Sequence, residues 1–118
     1  MRVLVVDDNV DAADMMGQLI GLRGHEVAVA YDGARALALA RDKPFELVLL
    51  DIGLPGMDGY HVARQLREAG CRAFLVALTG YGQDEDRRRA EAAGFDGFES
   101  KPLGMKRLQE ILTKLSQC

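Results

Sequence analysis

Asp7, Asp8, Asp51, Thr79 and Lys101 are the residues of this chain whose types, taken together, could do chemistry. Each stands at or just past the end of an apolar run: residues 3–6, 47–50, 74–78 and the short 95–98 stretch. Three carboxylates crowded at one place repel. At about 5 Å and an effective dielectric near 20, each pair costs roughly 3 kcal/mol. A bound cation removes that cost. Magnesium suits such a site, because it prefers hard oxygen ligands and often takes only one or two carboxylates plus phosphate oxygens. A carboxylate at a strand end can also attack phosphorus and form an acyl phosphate. A hydroxyl and an ammonium beside it can hold the other phosphoryl oxygens. Each residue has a plainer reading as well. The acids could cap a helix beginning near Asp11, Asp51 could be a ligand or a cap, Lys101 a surface lysine, and Thr79 a β-branched strand end. Only the constellation outweighs those readings.

For these residues to meet, the apolar runs must be strands of a parallel α/β sheet, whose C-terminal ends share one edge where ligands bind. Strands are expected over 3–6, 26–30, 46–50, 73–78 and 95–99. The first, third and fourth are continuous apolar runs, as central strands covered on both faces require. The second and fifth are shorter or more polar and suit the edges. Between them lie helical patterns. Residues 11–22 carry Ala12, Met16, Leu19 and Ile20 on one stripe, and 34–41 carry Ala34, Leu37 and Ala38. Asp58 is a natural N-cap for a helix with Val62, Leu66 and Ala69 on one side. Residues 83–93 are charged with a narrow alanine stripe, and 105–115 place Leu108, Ile111, Leu112 and Leu115 at helical spacing. Gly24, Gly70 and Gly94 follow helix ends, where a left-handed residue is common. The alternation predicts a flavodoxin-like, doubly wound (βα)5 domain of the α/β class. A five-stranded parallel sheet of order 2-1-3-4-5 is expected, with helices on both faces and right-handed crossovers.

Composition bounds the remaining choices. The chain has 118 residues, read as one domain, with 48% apolar and 28% charged content. The net charge of -3 and the lack of a basic cluster speak against a nucleic-acid surface. Arg87-Arg88-Arg89 follows Asp84-Glu85-Asp86, with Asp84/Arg88 and Glu85/Arg89 at i,i+4 spacing, the pattern of a solvated helix. Cys71 and Cys118 have no metal-ligand spacing and make no disulfide framework. No apolar stretch approaches the roughly 18 residues a membrane span needs, and no signal peptide is visible. A cytoplasmic setting is expected, without nucleic-acid or membrane contact by this domain.

The motifs Val5-Val6-Asp7-Asp8-Asn9, Leu49-Leu50-Asp51-Ile52-Gly53-Leu54-Pro55-Gly56-Met57-Asp58-Gly59, Ala77-Leu78-Thr79-Gly80 and Lys101-Pro102 occur in this order on these elements. The chain thereby resembles, over essentially all its length, the receiver domains of two-component response regulators. The resemblance implies that Asp51 is the phosphoacceptor, loaded from a histidine of a kinase or a histidine phosphotransfer protein. Asp8, Asp51 and the backbone carbonyl of Gly53 would bind magnesium, and Asp7 would bind through water. Lys101 would contact the phosphoryl group, Thr79 would close over it, and Phe98 would be the aromatic switch that packs inward as Thr79 moves. Lys101-Pro102 would be a cis peptide. A switched surface on the fourth helix, fifth strand and fifth helix is implied, with a phosphorylation-dependent homodimer as one outcome. Gly53 and Tyr81, two past Asp51 and Thr79, imply slow self-hydrolysis. The stretch from Leu78 to Gln83, followed by acids and arginines, looks like the receiver segments of hybrid sensor kinases. Two other readings stand beside this one. An aspartyl-phosphate phosphatase of the haloacid dehalogenase type also uses a strand-end Asp, but needs a second Asp where Gly53 stands. A docking domain independent of phosphorylation would not need the full set of site residues.

Overall fold

The computed structural model describes residues 1–52, 58–80, 84–101 and 103–116, with the backbone alone for 84–86. Strands and helices alternate: β1 (Arg2–Val6), α1 (Val10–Gly21), β2 (Glu26–Ala30), α2 (Gly33–Asp42), β3 (Leu47–Asp51), α3 (Gly59–Glu68), β4 (Phe74–Thr79), α4 (Asp84–Ala93), β5 (Gly97–Ser100) and α5 (Met105–Ser116). The strands form one parallel sheet of order β2-β1-β3-β4-β5. The expected α/β architecture is therefore present, with β1, β3 and β4 inside and the more polar β2 and β5 at the edges. Strand residues alternate between the two faces. One face carries Leu4, Val6, Val48, Leu50, Leu75 and Ala77 under α2, α3 and α4. The other carries Val3, Val5, Leu47, Leu49, Val76 and Leu78 under α1 and α5. Burial on both faces is why these strands read as unbroken apolar runs.

The structure corrects the fifth strand. It begins at Gly97, not Phe95. Gly94, at φ 103°, donates its N–H to Glu91 O, and Phe95 donates to Ala90 O. That paired closure is a Schellman motif, so Phe95 belongs to the end of α4, with its ring buried beneath the helix. The end of α3 closes the same way, through Gly70 to Arg67 O and Cys71 to Leu66 O.

Three helical stripes match their expected positions only in part, with Ile20, Leu37, Val62 and Leu66 buried as expected. In α1 the buried residues are Ala13, Gly17 and Ile20, and Ala12 is exposed. A Cβ on Gly17 would come within 2.9 Å of Val29 Cγ2, so this glycine lets α1 lie close on β2. In α2 the chain buries Ala36 and Leu37 and exposes Ala34 and Ala38. In α3 Val62 and Leu66 are buried as expected, joined by Tyr60 and Ala63, while Ala69, the C-cap just past the helix, is exposed. Alanine is small enough to serve either side of a helix, so its spacing marks a face weakly. In α5, Leu108, Ile111 and Leu112 are buried as expected, with Leu115 packed at the margin.

Arg67, near the end of α3, ties the N-terminal end of the sheet together. Its guanidinium donates to the carbonyls of Gly94, Cys71 and Ala73 at 2.8–3.0 Å and to Asp96 Oδ2 at 2.7 Å. Asp96 Oδ2 also accepts from Leu75 N. A planar fork with five donors suits such a convergence of carbonyls better than an ammonium does. Among the described residues, no helix is long and apolar enough to cross a membrane.

Candidate functional site

β1 ends at Val6, and Asp7 N still donates to Ala30 O, so the first acid continues the strand's register. Asp7 is buried and Asp8 is exposed. Neither caps α1. Asn9 does, accepting from Ala12 N at 3.1 Å, while its own N–H donates to Asp7 Oδ1 at 3.0 Å. The cap that the acids could have supplied comes from their neighbour, which also orients the Asp7 carboxylate.

Asp51 is the last residue of β3 and is buried. Ile52 N donates to Leu78 O, which holds the start of the following loop on β4. The chain returns as Asp58 caps α3 by accepting from His61 N at 2.8 Å. Gly59 is required there. A Cβ on it would lie 2.4 Å from Ile52 Cα and 2.9 Å from Asp51 O. The start of α3 thus presses on the backbone that presents Asp51.

Carboxylate oxygens of Asp7, Asp8 and Asp51 all lie within 4.8 Å of one another. Lys101, one residue past β5, places Nζ 2.7 Å from Asp51 Oδ2 and 3.3 Å from Asp7 Oδ2. Its own backbone N–H donates to Thr79 O at 2.7 Å, which fixes the base of its side chain on the end of β4. Thr79 is buried at the same edge, paired in register with Ser100. Phe98 lies half-buried on β5 against the core under α3 and α4.

The charges perturb one another. Burial raises the pKa of Asp7, and the Asp51 charge adds to this, against lowering by the Asn9 N–H and by Lys101. Burial pulls Lys101 down, but the hydrogen bond and charge of Asp51, with Asp7 behind it, outweigh that and leave its pKa raised. The ammonium is therefore held charged, and a desolvated carboxylate faces it. Three hard oxygen donors with one lysine fit a small divalent cation beside an anionic oxygen ligand. Nitrogen- and sulfur-preferring metals suit the donor set less well.

All five sequence-predicted side chains thus gather at the C-terminal edge of the sheet, with Phe98 three positions before Lys101 on β5. Gly53, Tyr81 and Pro102 lie outside the described residues, as do Cys118 and the side chains of Asp84 and Glu85. Sequence reading missed Asn9 as the cap, although an Asn preceding a helical pattern is a cap signal. It also missed the hydrogen bond from Tyr31 Oη to Asp14 Oδ1 at 2.5 Å, which links the start of the β2–α2 loop to α1. No local pattern marks that pair.

Fold and site together define a doubly wound α/β domain with an acid–lysine cluster at its strand ends. Residues 3–113 match the response regulator receiver domain, and the chain belongs to that family. It is 35% identical to the virulence sensor protein BvgS of Bordetella pertussis, over 97% of this chain and 10% of that protein. It spans 10–15% of the length of the sensor and regulatory proteins of Bordetella and Myxococcus that it resembles. Among solved structures, the chemotaxis protein CheY4 of Vibrio cholerae superposes with a TM-score of 0.88 at 27% identity, over 97% of both chains. The receiver domain of Ssk1 from Saccharomyces cerevisiae, solved with the histidine phosphotransfer protein Ypd1, shares the fold. Its TM-score is 0.90 at 24% identity, over 98% of this chain and 88% of that one. The domain is a phosphoacceptor signalling module and not a catalytic enzyme, which sets the phosphatase reading aside.

Proposed function

We propose that Asp51 is the phosphoacceptor of this receiver and that the whole chain, 1–118, works as one such domain. The observation that carries this is the placement of Lys101 Nζ on Asp51 Oδ2 at 2.7 Å, inside a cluster of three carboxylates. In the proposed step an Asp51 carboxylate oxygen attacks phosphorus of a phosphohistidine. The P–N bond breaks, an acyl phosphate forms, and the imidazole leaves with its electron pair and takes up a proton. Such transfer rests on positioning and charge neutralisation more than on covalent help from the protein.

Asp8, Asp51 and the Gly53 carbonyl would hold magnesium, with Asp7 binding through water. The cation, when bound, offsets the negative charge shared by the carboxylates and the incoming phosphoryl oxygens. Lys101 supplies a fixed positive charge to those oxygens. Asn9 and Lys101 keep Asp7 oriented. Thr79 closes over the phosphoryl group with its hydroxyl, and Phe98 follows inward. The product carries about -1.5 to -2 charges, enough to bias a two-state surface. That surface is built on α4, β5 and α5, and a phosphorylation-dependent homodimer through it is part of this reading.

The donor is a histidine kinase or a histidine phosphotransfer protein. The receiver complexed with Ypd1 supports this partner class through its shared fold. The similarity to a virulence sensor protein supports placement within a larger hybrid sensor, in the cytoplasm where ATP feeds the kinase. Intact mass after incubation with a small phosphoryl donor tests the core of the proposal. One magnesium-dependent phosphoryl adduct is expected on the wild type and none on Asp51→Asn. An adduct that persists in Asp51→Asn would sink the assignment. No adduct on either, with magnesium bound, would turn the reading to a docking domain.

A further inference from the structure

The described side chains of α4 offer the core little apolar surface. Ala90 and Ala93 are its buried residues among them, while Arg87, Arg88, Arg89 and Glu91 are exposed. Two guanidinium–ring contacts supplement them. Arg89 stacks over Tyr60 of α3 at 4.3 Å, and Arg87 over Phe98 of β5 at 5.3 Å. Both fall within the roughly 6 Å at which a cation is attracted to a ring face. The helix is thus held on its two flanks by arginines lying on aromatic rings.

The Phe98 contact leads towards the site. Ala77 pairs with Phe98 and Thr79 with Ser100 in the parallel register of β4 and β5. Residues two apart on a strand share a face, so Phe98 is a diagonal neighbour of Thr79 on the face that α4 covers. Arg87, itself exposed, lies over that ring. It lines, with Ala90, Phe95, Glu99 and Arg107, a cleft of about 210 Å³ between α4 and β5. Glu99 is already engaged by Arg107 at 2.8 Å, so the nearest acid on β5 has its own cation.

We propose that Arg87 is a positioning residue for the phosphoryl step. Its guanidinium holds the Phe98 ring in the half-buried position and so opposes the inward ring movement that accompanies closure of Thr79. This rests on the receiver mechanism proposed above. The contact is with the ring's face, and an inward ring gives it up. An exposed cation–ring contact is worth about a two- to fivefold change in an equilibrium. Losing Arg87 therefore favours the inward ring, and with it phosphoryl acceptance, by about that factor.

The test reads the ring directly. Protein labelled with fluorophenylalanine is followed by fluorine NMR without magnesium or phosphoryl donor, for wild type, Arg87→Gln, Arg87→Lys and Arg87→Met. Arg87→Met keeps an apolar stem over the ring and separates lost charge from lost packing. Arg87→Gln and Arg87→Met are expected to shift the Phe98 signal towards the inward population and to speed labelling by a small phosphoryl donor about two- to fivefold. Arg87→Lys is expected to stay near wild type. In a Phe98→Leu background, Arg87→Gln should leave the labelling rate unchanged. An unmoved ring signal in Arg87→Gln and Arg87→Met, or a rate effect that persists without the ring, overturns the proposal. A moved ring in proteins that never label supports the latch and overturns the phosphoacceptor reading instead.

Discussion

Asp7 shows how far one buried carboxylate can be constrained by its neighbours. Asn9 donates to one of its oxygens and Lys101 contacts the other, yet burial still raises its pKa. A group whose folded pKa is raised is penalised when charged in the native state. Its contribution to stability is most favourable below the unfolded pKa, near the ordinary value of 3.8, and is lost as pH rises through the folded pKa. We therefore expect Asp7→Asn to raise the melting temperature at neutral pH in protein free of divalent cations. The difference should shrink as pH falls through the folded pKa towards the ordinary value of 3.8. Thermal melts across that range in chelator decide it, and a variant that is less stable at neutral pH would contradict the sign. Thr79 and Lys101 make the same point differently. Neither is informative alone, and the backbone bond between them makes the strand end one unit.

At the scale of elements, α3 matters most for how Asp51 is presented. Its N-cap Asp58 and first residue Gly59 press the helix onto the backbone of Asp51 and Ile52. Gly59→Ala places a methyl 2.4 Å from Ile52 Cα, and neither contact is the end of a flexible side chain. Overpacking of this kind costs about 1–3 kcal/mol. Urea unfolding should show that loss, and phosphoryl labelling should slow, since the strain falls on the segment that carries the proposed acceptor, Asp51. Unchanged stability would mean that α3 can retreat. The opposite end of α3 is fixed by Arg67, whose bonds reach the α3–β4 and α4–β5 connections. Guanidinium and glycine thus anchor the C-terminal end of α4, while its flanks rest on two arginine–ring contacts.

Across the whole molecule, the sheet order brings together the ends of β1, β3, β4 and β5. Asp51 and Lys101 are separated by 50 residues along the chain and joined by one hydrogen bond. The gathered carboxylates cost stability without a cation, so saturating magnesium should stabilise the fold. At 100 times its dissociation constant the gain is about 2.7 kcal/mol. A melting temperature indifferent to magnesium would count against the site. Asp8→Ala should blunt the response, because it removes the exposed member of the triad.

The alternation of strands and helices, the central or edge rank of each strand, and the polar residues at strand ends were all legible in the chain. Those are local signals, set by periodicity and by what lies next to an apolar run. The family motifs were legible for the same reason. Tertiary structure decided what depends on a neighbour distant in sequence. It chose which alanines of α1 and α2 face the sheet, because a methyl group fits either side. It moved the start of β5 to Gly97, because Phe95 closes the end of α4. It gave the α1 cap to Asn9, and it set Lys101 between Asp7 and Asp51, because strand order and register fix which ends touch. No spacing along the chain encodes the guanidinium of Arg87 lying over Phe98, since α4 and β5 choose each other only once the sheet has formed.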